Sequence, residues 1–138
     1  MDVSTDSVAV GEMTPQHTTT PFANADIQGA YLFSSGEFVA PSTPLYTGID
    51  TFDGTTDKLG AGSVSGTEDL SQNPTLSLDQ SVVGTYNVSP SKNNGRGTLS
   101  LTSPTATQQS LWIVNSTEVL GLSIGPATTQ PTIIYYEQ

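Results

Sequence analysis

At 138 residues the chain is long enough for one domain with its own hydrophobic core. Thirteen acidic residues against three basic ones leave a net charge of −10, which sets the chain against nucleic-acid phosphates and against insertion into or binding at anionic membranes. Without cysteine there is no disulfide, thiolate metal site or cysteine nucleophile, and no apolar run approaches the roughly 20 residues of a membrane-spanning helix.

Hydrophobic residues make up only 34%, so the core must be economical, and the abundance of Thr, Ser and Gly suits short strands and turns better than long helices. Such a composition with few bases points to an exported protein, secreted or at the cell surface. The opening Met1-Asp-Val-Ser-Thr-Asp6 lacks the pattern of a signal peptide. The expectation is therefore a piece of a longer exported chain.

Residues 1–21 read as tail and linker, and 22–138 as a single domain. Thr14-Pro-Gln-His-Thr-Thr-Thr-Pro21 is polar and carries two prolines. Before it, Ser7-Val-Ala-Val-Gly-Glu12 resembles Thr132-Ile-Ile-Tyr-Tyr-Glu137 at the other end: a hydroxyl residue, an apolar run and a Glu. The match predicts that the tail is the closing strand of a preceding repeat, and that the parent is a tandem array. Neighbouring repeats are then the expected partners. Residues 7–13, as a strand, are also expected to pair with a free edge of this domain or of another copy and drive self-association.

Strands follow at regular spacing. Gly29 to Ser34 is the first and Leu45 to Phe52 the second, followed by a turn at Asp53-Gly54. Lys58 to Asp69 is a Gly-rich third strand, with Gly60, Gly62 and Gly66 on one face. Thr75 to Leu78 reads either as a short extra strand or as the lead into Ser81 to Val88. The hairpin from Gly84 to Leu101 is the clearest local signal. Gly84, Tyr86 and Val88 alternate with polar residues, as do Leu99 and Leu101, and Asn94-Gly95 lies between the two runs. Gln109 to Val114, Glu118 to Ile124 and Pro131 to Glu137 complete the set. No window holds a helical period. Eight short strands joined by tight turns predict an all-β fold, an antiparallel up-and-down barrel in which closure removes both edges.

The glycines and turn positions carry a resemblance. Gly29-x-Tyr31-x-Phe33, Phe52-Asp-Gly54, Gly62-x-x-x-Gly66-x-x-Asp69, Gly84-x-Tyr86, Gly95-Arg-Gly-Thr98-x-x-Leu101 and the final Glu137-Gln138 resemble a repeat domain of large secreted acidobacterial proteins. These are similar in layout to lipocalin- or avidin-type barrels, with Tyr31 standing where lipocalins have a Trp. The resemblance implies an architecture and brings no catalytic or ligand residues with it.

Reactive constellations are sparse. Asp50-Thr-Phe-Asp53-Gly-Thr-Thr-Asp57 with Glu68-Asp69 is oxygen-rich enough for Ca²⁺, but it lacks the EF-hand alternation and closing Glu, so a solvated hairpin turn is the better reading. His17, the one histidine, sits in the linker. Glu37, Asp79 and Glu118 lie near strand ends with nothing in the sequence to pair them. Arg96 and Lys92 flank the Asn94-Gly95 turn, and Asn87-Val-Ser89 and Asn115-Ser-Thr117 match a glycosylation pattern that carries little weight in a bacterial protein. No metal, cofactor or catalytic residue is assigned.

The sixth and eighth strands are apolar on both faces, and the seventh nearly so. Leu111 and Ile113 oppose Trp112 and Val114, Val119 and Gly121 oppose Leu120 and Leu122, and Ile133 and Tyr135 oppose Ile134 and Tyr136. A single-layer barrel buries only one face. The surplus predicts either an outer surface that docks onto a neighbouring unit or an aromatic-lined interior cavity. The first makes the protein a non-catalytic structural or surface-display repeat. The alternative is a carrier of a small hydrophobic ligand, with Tyr31, Tyr86 and Trp112 as its candidate binding residues.

Overall fold

The computed structural model describes residues 15–16, 21–36, 44–55, 60–72, 74–89, 94–123 and 132–138. Eight strands run in chain order: β1 (Gln28–Gly36), β2 (Leu45–Asp53), β3 (Gly62–Gln72), β4 (Thr75–Val88), β5 (Arg96–Ser103), β6 (Thr107–Asn115), β7 (Glu118–Ser123) and β8 (Ile133–Glu137). Each pairs antiparallel with the next, and β8 pairs back onto β1, from Leu32 opposite Glu137 to Gly36 opposite Ile133. The fold is the expected closed up-and-down barrel, lipocalin-like in layout. Residues 7–13 lie outside the described residues. Residues 75–82 of β4 pair with β3 and extend beyond the β4–β5 ladder, which begins at Val83 opposite Ser103.

Alternation decides which side chains go inside. Tyr31 and Phe33, Val82 and Tyr86, Leu99 and Leu101, Leu111 and Ile113, and Ile134 and Tyr136 are buried, with exposed or half-exposed residues between most of them. Gly95 takes a φ of +70° in the expected hairpin, where Asn94 Oδ1 accepts the Arg96 N–H at 3.2 Å. Gly54 takes +69° after Asp53, whose carboxylate accepts both the N–H and the hydroxyl of Thr55.

One expectation about the strands is corrected, and one left open is decided. The third strand starts at Gly62, not Lys58, so Gly60 precedes the sheet. Of the two readings of Thr75 to Leu78, the lead into Ser81–Val88 is the one observed, since both lie in the single strand β4. Asp79 adopts a φ of +51°, donates its N–H to Asp69 Oδ1 at 2.9 Å, and sits where the β3–β4 register shifts between Glu68 and Leu70. This kink joins Thr75–Leu78 to Ser81–Val88 in one 14-residue strand while letting the barrel coil.

One end of the barrel is plugged. A 3₁₀ turn, Asn24–Asp26, carries Phe22, Asn24 and Ile27 under the strands, all buried. Asn24 Oδ1 accepts the Val88 N–H at 2.7 Å, and its amide donates to the Thr55 carbonyl at 3.0 Å. Above the plug, Phe52 packs edge-on against Tyr31 and Tyr86, with ring centroids 5.5 and 5.0 Å away. The Tyr86 hydroxyl accepts the Gly54 N–H at 2.9 Å and points its proton at the Ile27 carbonyl, 3.1 Å away. It thereby ties the β2 turn to the plug from inside the barrel.

Tyr86→Phe leaves the Gly54 N–H without its acceptor and is expected to cost about 1–3 kcal/mol. Hydrogen exchange should speed up at Gly54 and Val88 before the rest of the sheet. Unchanged exchange at both amides would remove Tyr86 from this role.

Candidate functional site

Away from the plug the interior carries polar side chains among apolar ones such as Phe33, Leu101 and Ile134. Asp50 on β2 and Glu68 on β3 both point inward and are buried, as is Gln109 on β6. Sequence alternation accounts for each acid. Asp50 shares its face with Phe52, and Glu68 shares its face with Val64 and Gly66.

The register brings the two acids together. Asp50 stands opposite Gly66 and Glu68 opposite Gly48, so the carboxylates are diagonal neighbours and each faces a glycine. The glycines let neighbouring strands and side chains come close: a Cβ on Gly48 would lie 2.9 Å from the Phe33 ring. A Cβ on Gly66 would lie 2.5 Å from Asp50 Oδ1 and also strike the Ile49 carbonyl; one on Gly121 would lie 2.7 Å from Gln109 Oε1. Tyr136 closes the group from β8. It stands opposite Phe33, itself opposite Gly48, and donates its hydroxyl proton to Gln109 Oε1 at 2.9 Å.

Electrostatics follow from burial. Asp50 is 1% exposed, and loss of water together with the Glu68 charge pushes its carboxyl up to about 7. Burial raises Glu68 as well. The Tyr136 hydroxyl is raised far above the usual tyrosine range by burial and then by the nearby Asp50 charge. Among the described residues Asp50 Oδ1 has no hydrogen-bond donor. Donors are scarce here: Arg96, the one cation among the described residues, lies outside the barrel with its guanidinium 5.7 Å from the centre of the Trp112 ring.

The candidates from sequence are dispersed. Tyr31 and Tyr86 are inside, but their hydroxyls are committed: Tyr31 donates to the Ser116 carbonyl at 2.7 Å, and Tyr86 serves the plug. Trp112 is 39% exposed on the outer wall and cannot share a cavity with them. Alternation left its face open, and the register settles it, because Leu111 and Ile113 are the buried pair. The Asp50–Asp57 segment does not assemble as a calcium loop. Asp50 turns inward, Asp53 builds its own turn, and Asp57 lies outside the described residues. No group of three or more His, Cys, Asp or Glu side chains among the described residues is placed to hold a metal ion.

His17, Glu37 and Lys92 also lie outside the described residues. Asp79 forms the β4 kink, and Glu118 is half-exposed, 3.3 Å from the Asn115 amide. Both asparagines of the glycosylation pattern are engaged: Asn87 donates to the Gly60 carbonyl, and Asn115 Oδ1 accepts the Thr117 N–H at 2.8 Å. The Asp50–Glu68 pair was missed because the two acids lie 18 positions apart and only the β2–β3 register joins them.

The outer wall bears a second feature. Trp112, Leu120 and Tyr135 stand opposite one another across β6, β7 and β8, and Leu122 faces Ile133 in the next row. Apart from half-buried Leu120, each of these is more than a third exposed. At the plugged end Gln16 donates from its amide to the carbonyls of Asn94 and Ile113, at 3.0 and 2.6 Å, one residue away from Trp112. The segment before the domain is thus pinned at the start of the apolar stripe. No family model matches the chain, and no curated protein or solved structure is similar to it.

Proposed function

We propose that the protein is a non-catalytic structural barrel, one module of a larger exported polypeptide, docked through the Trp112–Leu120–Tyr135 stripe onto the unit that precedes it. The contact by Gln16 carries this reading. It fixes the linker to the barrel wall beside Trp112, so a preceding module leaves the linker next to an apolar surface of matching location. Aromatic residues exposed in a row are the usual core of such an interface. The likeness of residues 7–12 to residues 132–137 names the occupant as another copy of this barrel.

The carrier reading for a hydrophobic ligand draws less support. The inward aromatics at the plugged end pack against one another, and the level above them sets two carboxylates among its apolar side chains.

A two-copy chain tests the docking: residues 1–138 followed by residues 14–138, with Trp112 of the first copy changed to Phe. The remaining tryptophan, in the second copy, is expected to be quenched by acrylamide about twofold less than in the single chain, because an interface core excludes water. Equal quenching in the two chains would refute the docking.

A further inference from the structure

The polar level of the barrel presents acceptors without enough donors. Asp50 contributes two carboxylate oxygens, one with no partner among the described residues, from a side chain 99% buried by its 1% exposure. Glu68 lies diagonal to it across the ladder. Among the described residues Gln109 Oε1 receives the Tyr136 proton alone and keeps a second lone pair. Gly66 and Gly121 let Asp50 Oδ1 and Gln109 Oε1 lie close against the sheet, 2.5 and 2.7 Å from where a Cβ would stand. A buried acceptor left unmatched costs free energy unless a donor reaches it, and two adjacent carboxylates favour a donor that is positively charged.

We propose that Asp50, Glu68 and Gln109 form a binding site for the protonated amino group of a small primary amine. An ammonium carries three N–H donors around one positive charge. Three acceptor side chains on three strands match that number, and the two acids match the charge twice over. A divalent cation is the poorer fit, since calcium takes six to eight oxygen ligands and this level offers two carboxylates and one amide oxygen. Tyr136 is a positioning residue here: its hydroxyl holds Gln109 Oε1 in the group.

The proposal does not rest on the docking of modules and survives its failure. The test uses the full 138-residue chain and follows the Gln109 side-chain amide and the Tyr136 ring by NMR during titration. The probes are methylammonium and n-butylammonium, with n-butanol, tetramethylammonium and Ca²⁺ as controls. At least one primary ammonium is expected to give saturable shifts at both residues. n-Butanol lacks the charge and tetramethylammonium lacks the N–H donors, so neither should.

Asp50→Asn and Glu68→Gln are each expected to weaken binding about tenfold or more, as loss of a charge-assisted hydrogen bond does. Should Asp50→Asn fail to fold, Glu68→Gln decides. Absence of shifts with both primary ammonium probes overturns the proposal. So does equal binding by the folded variants, and so does an equal response to tetramethylammonium or Ca²⁺.

Discussion

Asp50→Asn is expected to raise the thermal midpoint by about 5–10 °C near pH 8, and to change it little near pH 4. The direction follows from linkage. The carboxyl of Asp50 ionises near 3.8 when exposed and near 7 in the barrel. Below 3.8 it is protonated in both states, and folding carries no penalty from it. As the pH rises toward 7, the unfolded chain ionises first, so the folded state binds the extra proton and stability falls. Above 7 the full cost is present, on the order of 4 kcal/mol at most for a shift of this size.

Burial is the larger cause and the Glu68 charge the smaller, so Glu68→Gln should recover part of the same loss. Asparagine removes the ionisation and supplies an N–H donor toward Glu68 or Gln109. Thermal melts of both chains from pH 4 to pH 8 provide the measurement. An Asp50→Asn gain over the parent that fails to grow as the pH rises across this window would show that Asp50 is not destabilised as a buried carboxylate.

Gly66→Ala is expected to destabilise the barrel by about 3 kcal/mol or more, beyond what ordinary overpacking costs. The added methyl would meet the Ile49 carbonyl oxygen, Asp50 Oδ1 at 2.5 Å and Asp50 Cα at 2.9 Å. Two of these are main-chain atoms of the paired strand, so relief requires β2 and β3 to separate where Asp50 faces Gly66. Ser65→Ala, one position away and pointing to solvent, should stay within about 0.5 kcal/mol of the parent. Urea midpoints of the two variants decide the matter: similar values would mean that the close approach at Gly66 is not required.

The two predictions concern the same few ångströms of barrel wall. Gly66 permits the strands to approach, and the approach brings Asp50 and Glu68 into one another's field. The site therefore owes its chemistry to positions that carry no chemistry of their own. An alanine at Gly66 would disturb fold and site together, whereas Asp50→Asn alters the site and leaves the packing volume nearly unchanged. Comparing them separates stability from binding in the amine titration.

Local pattern was enough for the strands. Alternation in Gly84–Val88 and Thr98–Thr102, with Asn94-Gly95 between them, specifies a hairpin because period-two burial and a left-handed turn are properties of short segments. Repeated eight times without a helical window, the same reasoning reaches an up-and-down barrel. It also shows that β6, β7 and β8 carry more apolar side chains than one face can bury.

Which of their faces is interior is not a local property. Leu111 and Trp112 are both large and apolar, and only the closed sheet turns the first inward and the second out. The same holds for Asp50 and Glu68. Each looks like a solvated strand acid until antiparallel register sets it diagonal to the other and opposite a glycine. The kink at Asp79 is likewise invisible in sequence, since it answers the coiling of β3 against β4 and not the preference of an aspartate. Secondary structure here follows from side-chain periodicity, which neighbours in the chain determine; the carboxylate pair and the outer stripe follow from register and closure, which depend on contacts between residues distant in the chain.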